Sequence, residues 1–327
     1  MLLPCGIFKY FFSTITQEAK HIPKSKMFKV VEVGARDGLQ NEKQIIPAKD
    51  KIDFINKLSH CGFQVATSFV SPRWIPQMAD HQEVIQKITK CPGVSYPVLV
   101  PNLVGLHNAL KSECVKEIAV FGAASNSFSR KNTNASIEES LKNLQDVTTV
   151  ALKEGLRVRG YVSCVIGCPY EGKVDSAVVA KVAETLLEAG CYEVSLGDTI
   201  GVGSAGSVAS MLEVVLKSIP AEKLAVHFHD TYGQALVNVI VAIEKGIRVA
   251  DSSIAGLGGC PYAMGATGNV ATEDLVYMLH DMGFYTGINL SKLIETSTWI
   301  CSKMGRPNAS RVAKALMTKQ LDSKDFH

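Results

Sequence analysis

The stretch Arg157-Val-Arg-Gly-Tyr-Val-Ser-Cys-Val165 is followed by a helical pattern at 178–187 and then by Cys191-Tyr-Glu-Val-Ser-Leu196. A β-branched apolar run, a polar or glycine-bearing turn, a segment of period near 3.6 and a second apolar run make one βαβ unit. Working outward, the same arrangement recurs along the chain. Apolar runs fall at 29–34, 64–70, 95–100, 117–123, 157–165, 191–196, 224–229 and 249–254. Their mean step is about 32 residues, the size of one βα unit. Between them lie helical patterns at 50–58, 137–152, 178–187 and 208–219. The first sets Ile52, Ile55 and Leu58 on one side. The second carries Ile137, Leu141, Leu144 and Val147 behind Ser136 and Glu139, which are spaced as a capping box. Strands alternating with helices imply a parallel sheet, and eight such units imply an α/β (β/α)8 TIM barrel. The rival arrangement is a doubly wound open sheet. From about residue 271 onward, additional C-terminal helices follow the eighth unit.

The 327 residues suit one large α/β barrel, and residues 29–327 are expected to form a single barrel domain with a C-terminal helical extension. Apolar residues at 46% and charged residues at 20% exclude intrinsic disorder as the main state. Lys plus Arg number 34 against 31 acids, a net charge of +3 with no clustered basic run, so a nucleic-acid partner is not expected. No apolar run has the length of a membrane span. Nine scattered cysteines without a CxxC pair argue against a disulfide framework or a zinc ribbon. Residues 1–28 stand apart. They hold Leu2, Leu3, Ile7, Phe8, Tyr10, Phe11, Phe12 and Ile15, hydroxyl residues, and no acid before Glu18. That composition is read as a transit peptide or a disordered tail, although the usual arginines are missing. The mitochondrial matrix is the expected compartment, with the cytoplasm as the alternative.

In a barrel of this kind the chemistry sits at the C-terminal ends of the strands. Those ends carry Arg36 and Asp37, Ser68, Asn102, Ser125, Asp198 and Thr199, and the pair His227 and His229. His227 and His229, at i and i+2 of a strand, face the same side and can reach one point near the axis. With Asp37 they make a mixed nitrogen and oxygen donor set suited to Mg²⁺ or Mn²⁺, with Zn²⁺ also compatible. The competing reading is two histidines held by hydrogen bonds in a polar layer. Arg36 at a barrel mouth can stabilise a developing oxyanion; the plainer fate of an arginine is a surface ion pair. The loop Gly256-Leu-Gly-Gly-Cys260-Pro-Tyr-Ala-Met-Gly-Ala-Thr-Gly268-Asn269 can close over a ligand and carries a thiol able to act as acid, base or nucleophile. An incidental cysteine in a flexible connection is the alternative. Gly201-Val-Gly-Ser-Ala-Gly206 matches a dinucleotide fingerprint literally. It belongs to the sixth of eight similar units, however, so it is not read as a nucleotide site.

Several segments together resemble the 3-hydroxy-3-methylglutaryl-CoA lyase family, within the wider group of pyruvate-carboxylase-like and isopropylmalate-synthase-like barrels. They are Val31-Glu-Val-Gly-Ala-Arg-Asp-Gly-Leu-Gln-Asn-Glu-Lys43, Thr67-Ser-Phe-Val-Ser-Pro72, Pro97-Val-Leu-Val-Pro-Asn102, Phe121-Gly-Ala-Ala-Ser125, Gly167-Cys-Pro-Tyr-Glu-Gly172, His227-Phe-His-Asp-Thr-Tyr-Gly-Gln234 and the Cys260 loop. The resemblance covers about residues 29–316, and the Cys260 loop is its most specific part. It implies a metal-dependent retro-Claisen cleavage of 3-hydroxy-3-methylglutaryl-CoA to acetyl-CoA and acetoacetate. It implies Asp37, His227, His229 and Asn269 as ligands of Mg²⁺ or Mn²⁺, Asn269 entering through the resemblance alone. It implies Arg36 at the thioester carbonyl, Cys260 as catalytic thiol, and Asp198, Glu32 and Glu273 as supporting acids. An acyl-CoA partner and a homodimer are implied as well. The chain departs from the family at strand two. Two residues are missing, and Gln64, Val65 and Ala66 stand where a glutamate is usual; Ala35 replaces a more usual proline or serine. Removing two residues keeps the strand's alternation but removes a charge from the site. A barrel that binds metal and acyl-CoA with little lyase activity is therefore the alternative. A related Claisen-type synthase or aldolase is a third reading, against which the Cys260 loop argues.

Overall fold

The computed structural model describes residues 22–40, 42, 44–61, 64–65, 67–68, 75–259 and 268–322. All eight expected strands are present and parallel. They are β1 (Lys29–Glu32), a second strand in two segments, β2 (Gln64–Val65) and β3 (Thr67–Ser68), then β4 (Val98–Leu99), β5 (Glu117–Ala123), β6 (Arg157–Ser163), β9 (Val194–Asp198), β10 (Leu224–Phe228) and β11 (Val249–Ser252). The sheet order is β2-β1-β11-β10-β9-β6-β5-β4-β3. Because β2 pairs with β1 and β3 pairs with β4, the two ends of that order meet on strand two and the ring closes. A doubly wound sheet would leave two free edges, so that rival is set aside. The short second strand keeps a neighbour on each side despite the missing pair of residues.

Outward-facing strand residues such as Val30, Val158, Val162, Leu224, Val226 and Phe228 are buried under the surrounding helices. Helix Ile137–Lys153 shows how the sequence specifies this layer. Ser136 Oγ accepts from Glu139 N at 3.2 Å and the Glu139 carboxylate accepts from Ser136 N at 2.8 Å, so the capping box forms. Leu141, Leu144 and Val147 then fall on the buried face. Each such side chain contributes about 1.5–3 kcal/mol on leaving water.

Beyond helices His81–Lys87 and Ala235–Glu244, which the named helical patterns did not include, several features went unregistered by sequence periodicity. A small antiparallel hairpin, β7 (Gly167–Cys168) with β8 (Gly172–Lys173), follows β6. Helices Leu103–Leu110 and Asn126–Thr133 fill the connections after β4 and β5. Strand one stops at Glu32, and a π-helical turn, Gly34–Gly38, replaces its expected end. After β11 come helices Thr272–Asp281, Leu290–Met304 and Arg311–Asp322. The second packs on helix Ala48–His60, with the rings of Phe54 and Trp299 at 6.5 Å.

Most of the N-terminal segment expected as a transit peptide or tail lies outside the described residues. Its last two residues join the barrel: Met27 bridges Tyr285, and buried Phe28 meets Phe284 edge-on at 5.8 Å. Among the described residues no helix is long and apolar enough to cross a membrane.

Candidate active site

The π-helical turn after β1 aims two side chains at the barrel mouth. Gly38 N donates to Val33 O at 3.1 Å, a bond spanning five residues, and this wide turn presents Arg36 and Asp37 together. Glycine is required at its start. A Cβ on Gly34 would lie 2.5 Å from Glu32 Oε1, the oxygen to which Gly34 N donates. Arg36 Nη1 reaches Asp37 Oδ1 at 2.7 Å, and the guanidinium stands over the Tyr161 ring at 5.7 Å. Arg36 is buried, so the plainer reading as a surface ion pair does not describe it.

His227, in β10, and His229, just beyond it, lie on one face of the chain, as the i, i+2 spacing requires. The Nε2 atoms of both stand 3.9 Å from Asp37 Oδ2, and the two rings are 5.4 Å apart. One donor atom each from Asp37, His227 and His229 can be chosen so that all lie within 4.8 Å of one another, a set that can hold a metal ion. Asn269 is bridged to His229 across the chain, and its Nδ2 donates to Asp37 Oδ2 at 2.8 Å and Leu257 O at 3.0 Å. Its Oδ1 is buried without a partner among the described residues. A buried amide oxygen left without a donor, beside two imidazoles and a carboxylate, fits an oxygen-seeking cation as fourth partner. Gly258, at φ +103°, lets the backbone pass close: a Cβ there would sit 2.7 Å from Asn269 Nδ2.

The charge states agree with this donor set. Burial alone would raise the Asp37 carboxyl, but Arg36, His227, His229 and the Asn269 hydrogen bond outweigh it and hold the group at about 2. Burial, with His227 nearby, lowers His229 to about 4, so its imidazole stays neutral at physiological pH. A carboxylate and a neutral imidazole are the forms that ligate.

Asp198 ends β9 and is fully buried. Its Oδ2 accepts from Gly203 N at 2.7 Å and its Oδ1 from Val202 N at 3.3 Å. Burial raises its carboxyl above the ordinary value. This occupies the amides of the glycine-rich loop that a bound phosphate would need, which disposes of the dinucleotide look-alike. Glu32 and Glu273 are fully buried as well. Glu32 accepts from Gly34 N, Ile254 N and Thr272 Oγ1, tying β1 to the loop after β11. Glu273 accepts from Ala255 N at 2.9 Å on the same loop. Burial pushes Glu32 up to about 8 and Glu273 up to about 7. Both acids hold the base of the loop that leads to Cys260. Cys260 itself, and Ala66 in strand two, lie outside the described residues. Of the other polar strand ends, Asn102 and Ser125 cap the helices that follow, accepting from Gly105 N at 3.0 Å and Phe128 N at 3.2 Å. Part of the polar concentration at the mouth is therefore helix capping.

Sequence reasoning missed the layer beneath the site. His227 Nδ1 lies 3.2 Å from Asp251 Oδ2, and Arg159 holds both oxygens of that carboxylate. Acids and an arginine at inward-facing strand positions were a legible signal, since every second strand residue points to the axis.

The HMGL-like family profile matches residues 27–300. The chain belongs to the HMGL-like family. The mitochondrial hydroxymethylglutaryl-CoA lyase of Gallus gallus is 57% identical over 289 residues, which is 88% of this chain and 97% of that protein. The cytoplasmic 3-hydroxy-3-methylglutaryl-CoA lyase of Danio rerio is 55% identical, over 91% of this chain and 90% of that one. The crystal structure of hydroxymethylglutaryl-CoA lyase from Pseudomonas aeruginosa superposes with a TM-score of 0.87 at 53% identity, covering 90% of this chain and 98% of that chain. The HMGL-like barrel identified from sequence is thus the fold observed.

Proposed function

We propose that this chain is a hydroxymethylglutaryl-CoA lyase that cleaves 3-hydroxy-3-methylglutaryl-CoA to acetyl-CoA and acetoacetate. The observation that carries the reading is the convergence, beside buried Arg36 at the strand ends, of Asp37, His227, His229 and an Asn269 oxygen that has no partner among the described residues. Those four residues would hold a divalent cation, Mg²⁺ or Mn²⁺, which would supply Lewis-acid chemistry at the C3 hydroxyl.

The chain's own residues do the rest. The buried Asp198 carboxylate takes the C3 hydroxyl proton, because the lone pairs of His227 and His229 are given to the metal. The oxygen's electron pair closes the acetoacetate carbonyl while the C2–C3 bond breaks, and its electrons pass to the thioester as an enolate. The Arg36 guanidinium, fixed by Asp37 and the Tyr161 ring, meets the enolate oxygen. Cys260 delivers a proton to C2, and closure of its glycine-rich loop keeps bulk water from the enolate. Glu32 and Glu273 hold the root of that loop.

The mitochondrial matrix is the proposed compartment, with the segment ahead of Met27 and Phe28, which join the barrel, as transit peptide or tail; the cytoplasm is the alternative. The working unit is a homodimer built from one catalytic domain per chain; light scattering on the purified protein tests it. The departure at strand two favours keeping one second reading, a barrel that binds metal and acyl-CoA with little turnover. Relatives at 55% and 57% identity speak for the lyase. The deciding experiment is acetoacetate release from 3-hydroxy-3-methylglutaryl-CoA with Mg²⁺ or Mn²⁺, beside a variant in which the strand-two glutamate segment is restored. Turnover by the chain as it stands supports the lyase. Turnover only after restoration transfers the assignment to the ligand-binding barrel.

A further inference from the structure

The interior of the barrel below the metal-ligand set is charged and largely buried. Lys29 Nζ reaches Glu193 Oε2 at 3.0 Å, and Glu193 Oε1 accepts from Arg159 Nε at 2.7 Å. Arg159 Nη2 and Nη1 grip Asp251 Oδ1 and Oδ2 at 2.8 and 3.2 Å, and Ser195 Oγ donates to Oδ2 at 3.0 Å. His227 Nδ1 meets the same Oδ2 at 3.2 Å. Arg159 and Asp251 are each 1% exposed. Six groups, from β1, β6, β10, β11, β9 and the residue just before β9, therefore form one network of contacts that runs from the N-terminal end of β1 to the ligand set at the strand ends.

Such a network is poorly explained as a source of stability. The desolvation of buried charges largely cancels their attraction, and apolar residues of similar size commonly serve as well. What it does provide is geometry. A carboxylate held by a guanidinium on both oxygens is an acceptor only, so the hydrogen between it and His227 must sit on Nδ1. The Nε2 lone pair of His227 is then free and directed at the ligand set, where it lies 3.9 Å from Asp37 Oδ2. His229 has no such support: its Nδ1 is buried and without a partner among the described residues.

We propose that Asp251, clamped by Arg159, is a positioning residue that presets the tautomer and ring orientation of His227, so that one of the two imidazoles is ready for the metal before it binds. The inference rests on the assignment of Asp37, His227, His229 and Asn269 as metal ligands. Losing a carboxylate behind a ligating histidine typically costs 10- to 100-fold in metal affinity. Asp251→Asn removes the charge and puts an N–H group against Arg159 or against Ser195 and His227, so a single His227 tautomer can no longer be enforced.

The test has two arms. In the first, chelator-treated wild-type protein labelled with ¹⁵N-histidine is studied by long-range ¹H–¹⁵N correlation, the His227 signals being assigned by their loss in His227→Gln. The expected result is His227 wholly in the Nδ1–H form without metal; an Nε2–H form overturns the proposal, and this arm needs no folded Asp251 variant. In the second, Mn²⁺ affinity is measured for wild type, Asp251→Asn and His229→Ala. Weakening of 10- to 100-fold in Asp251→Asn beside loss of binding in His229→Ala supports the proposal. Loss in His229→Ala with unchanged affinity in Asp251→Asn overturns the positioning role alone. Unchanged affinity in both overturns the ligand assignment, and the proposal with it.

Discussion

Arg36 and Asp37 are neighbours in sequence, yet the proposed mechanism gives them opposite tasks, one facing developing negative charge and the other a cation. Their 2.7 Å contact fixes the guanidinium where an enolate oxygen would form. Arg36→Met keeps much of the side chain's bulk and removes the donor. Loss of one preorganised oxyanion donor costs about 100- to 1000-fold in kcat. The expected result is a fall of that size with a smaller change in KM, read in steady-state acetoacetate release. In the proposed mechanism the Cys260 thiol protonates the enolate carbon. Cys260→Ala is expected to abolish most turnover while metal stoichiometry by elemental analysis stays at the wild-type value; full activity in this variant would remove the thiol from the mechanism.

Among the elements, the turns between strand and helix decide more than the strands. The π-helical turn after β1 and the Gly201-Val202-Gly203 loop after β9 are both shaped by a buried carboxylate accepting backbone N–H groups, Glu32 in the first and Asp198 in the second. Asp198→Ala leaves two loop amides without their acceptor. Hydrogen exchange at residues 202 and 203 is expected to speed up at least tenfold, with helix Ala205–Val215 protected as before. Unchanged exchange would mean that the loop holds itself and that Asp198 serves chemistry alone. Strand two belongs to this scale as well. It pairs with β1 and β4 on either side of residue 66, so the missing two residues leave the closure of the ring intact.

Across the whole molecule, the buried acids make stability depend on pH in a definite direction. Burial raises Glu32 from 4.5 to about 8 and Glu273 from 4.5 to about 7. A raised folded pKa means that the unfolded chain ionises first. The stability these groups contribute is whole below about pH 4.5 and is lost as pH climbs to about 8. His229 works oppositely, because its folded pKa falls from 6.5 to about 4; its contribution is complete above pH 6.5. The window from about pH 6.5 to 8 therefore isolates the glutamates. With metal chelated, urea unfolding is expected to show stability falling by roughly 1–2 kcal/mol across that window. Glu32→Gln should remove the larger part of the slope. A rise in stability over the same window would contradict the burial argument.

The amino-acid sequence by itself determined the eight-unit (β/α)8 barrel, because strand and helix periods and their spacing are local properties of the chain. It also placed His227 and His229 on one face, since the i, i+2 relation is fixed within a strand. The wide turn that brings Arg36 and Asp37 to the mouth, and the capping work of Asn102 and Ser125, depend on backbone hydrogen bonds that periodicity does not encode. Asn269 stood out only through its likeness to a family, because the atoms that surround it come from turns far apart in the chain. Asp251, Arg159 and Glu193 had no local mark beyond polarity in an apolar strand. Their partnership crosses four strands and exists only where the closed ring brings β1, β6, β9, β10 and β11 around one axis. Secondary structure follows from neighbours along the chain. The charge network that supports His227 follows from neighbours in space, and those the tertiary structure alone decides.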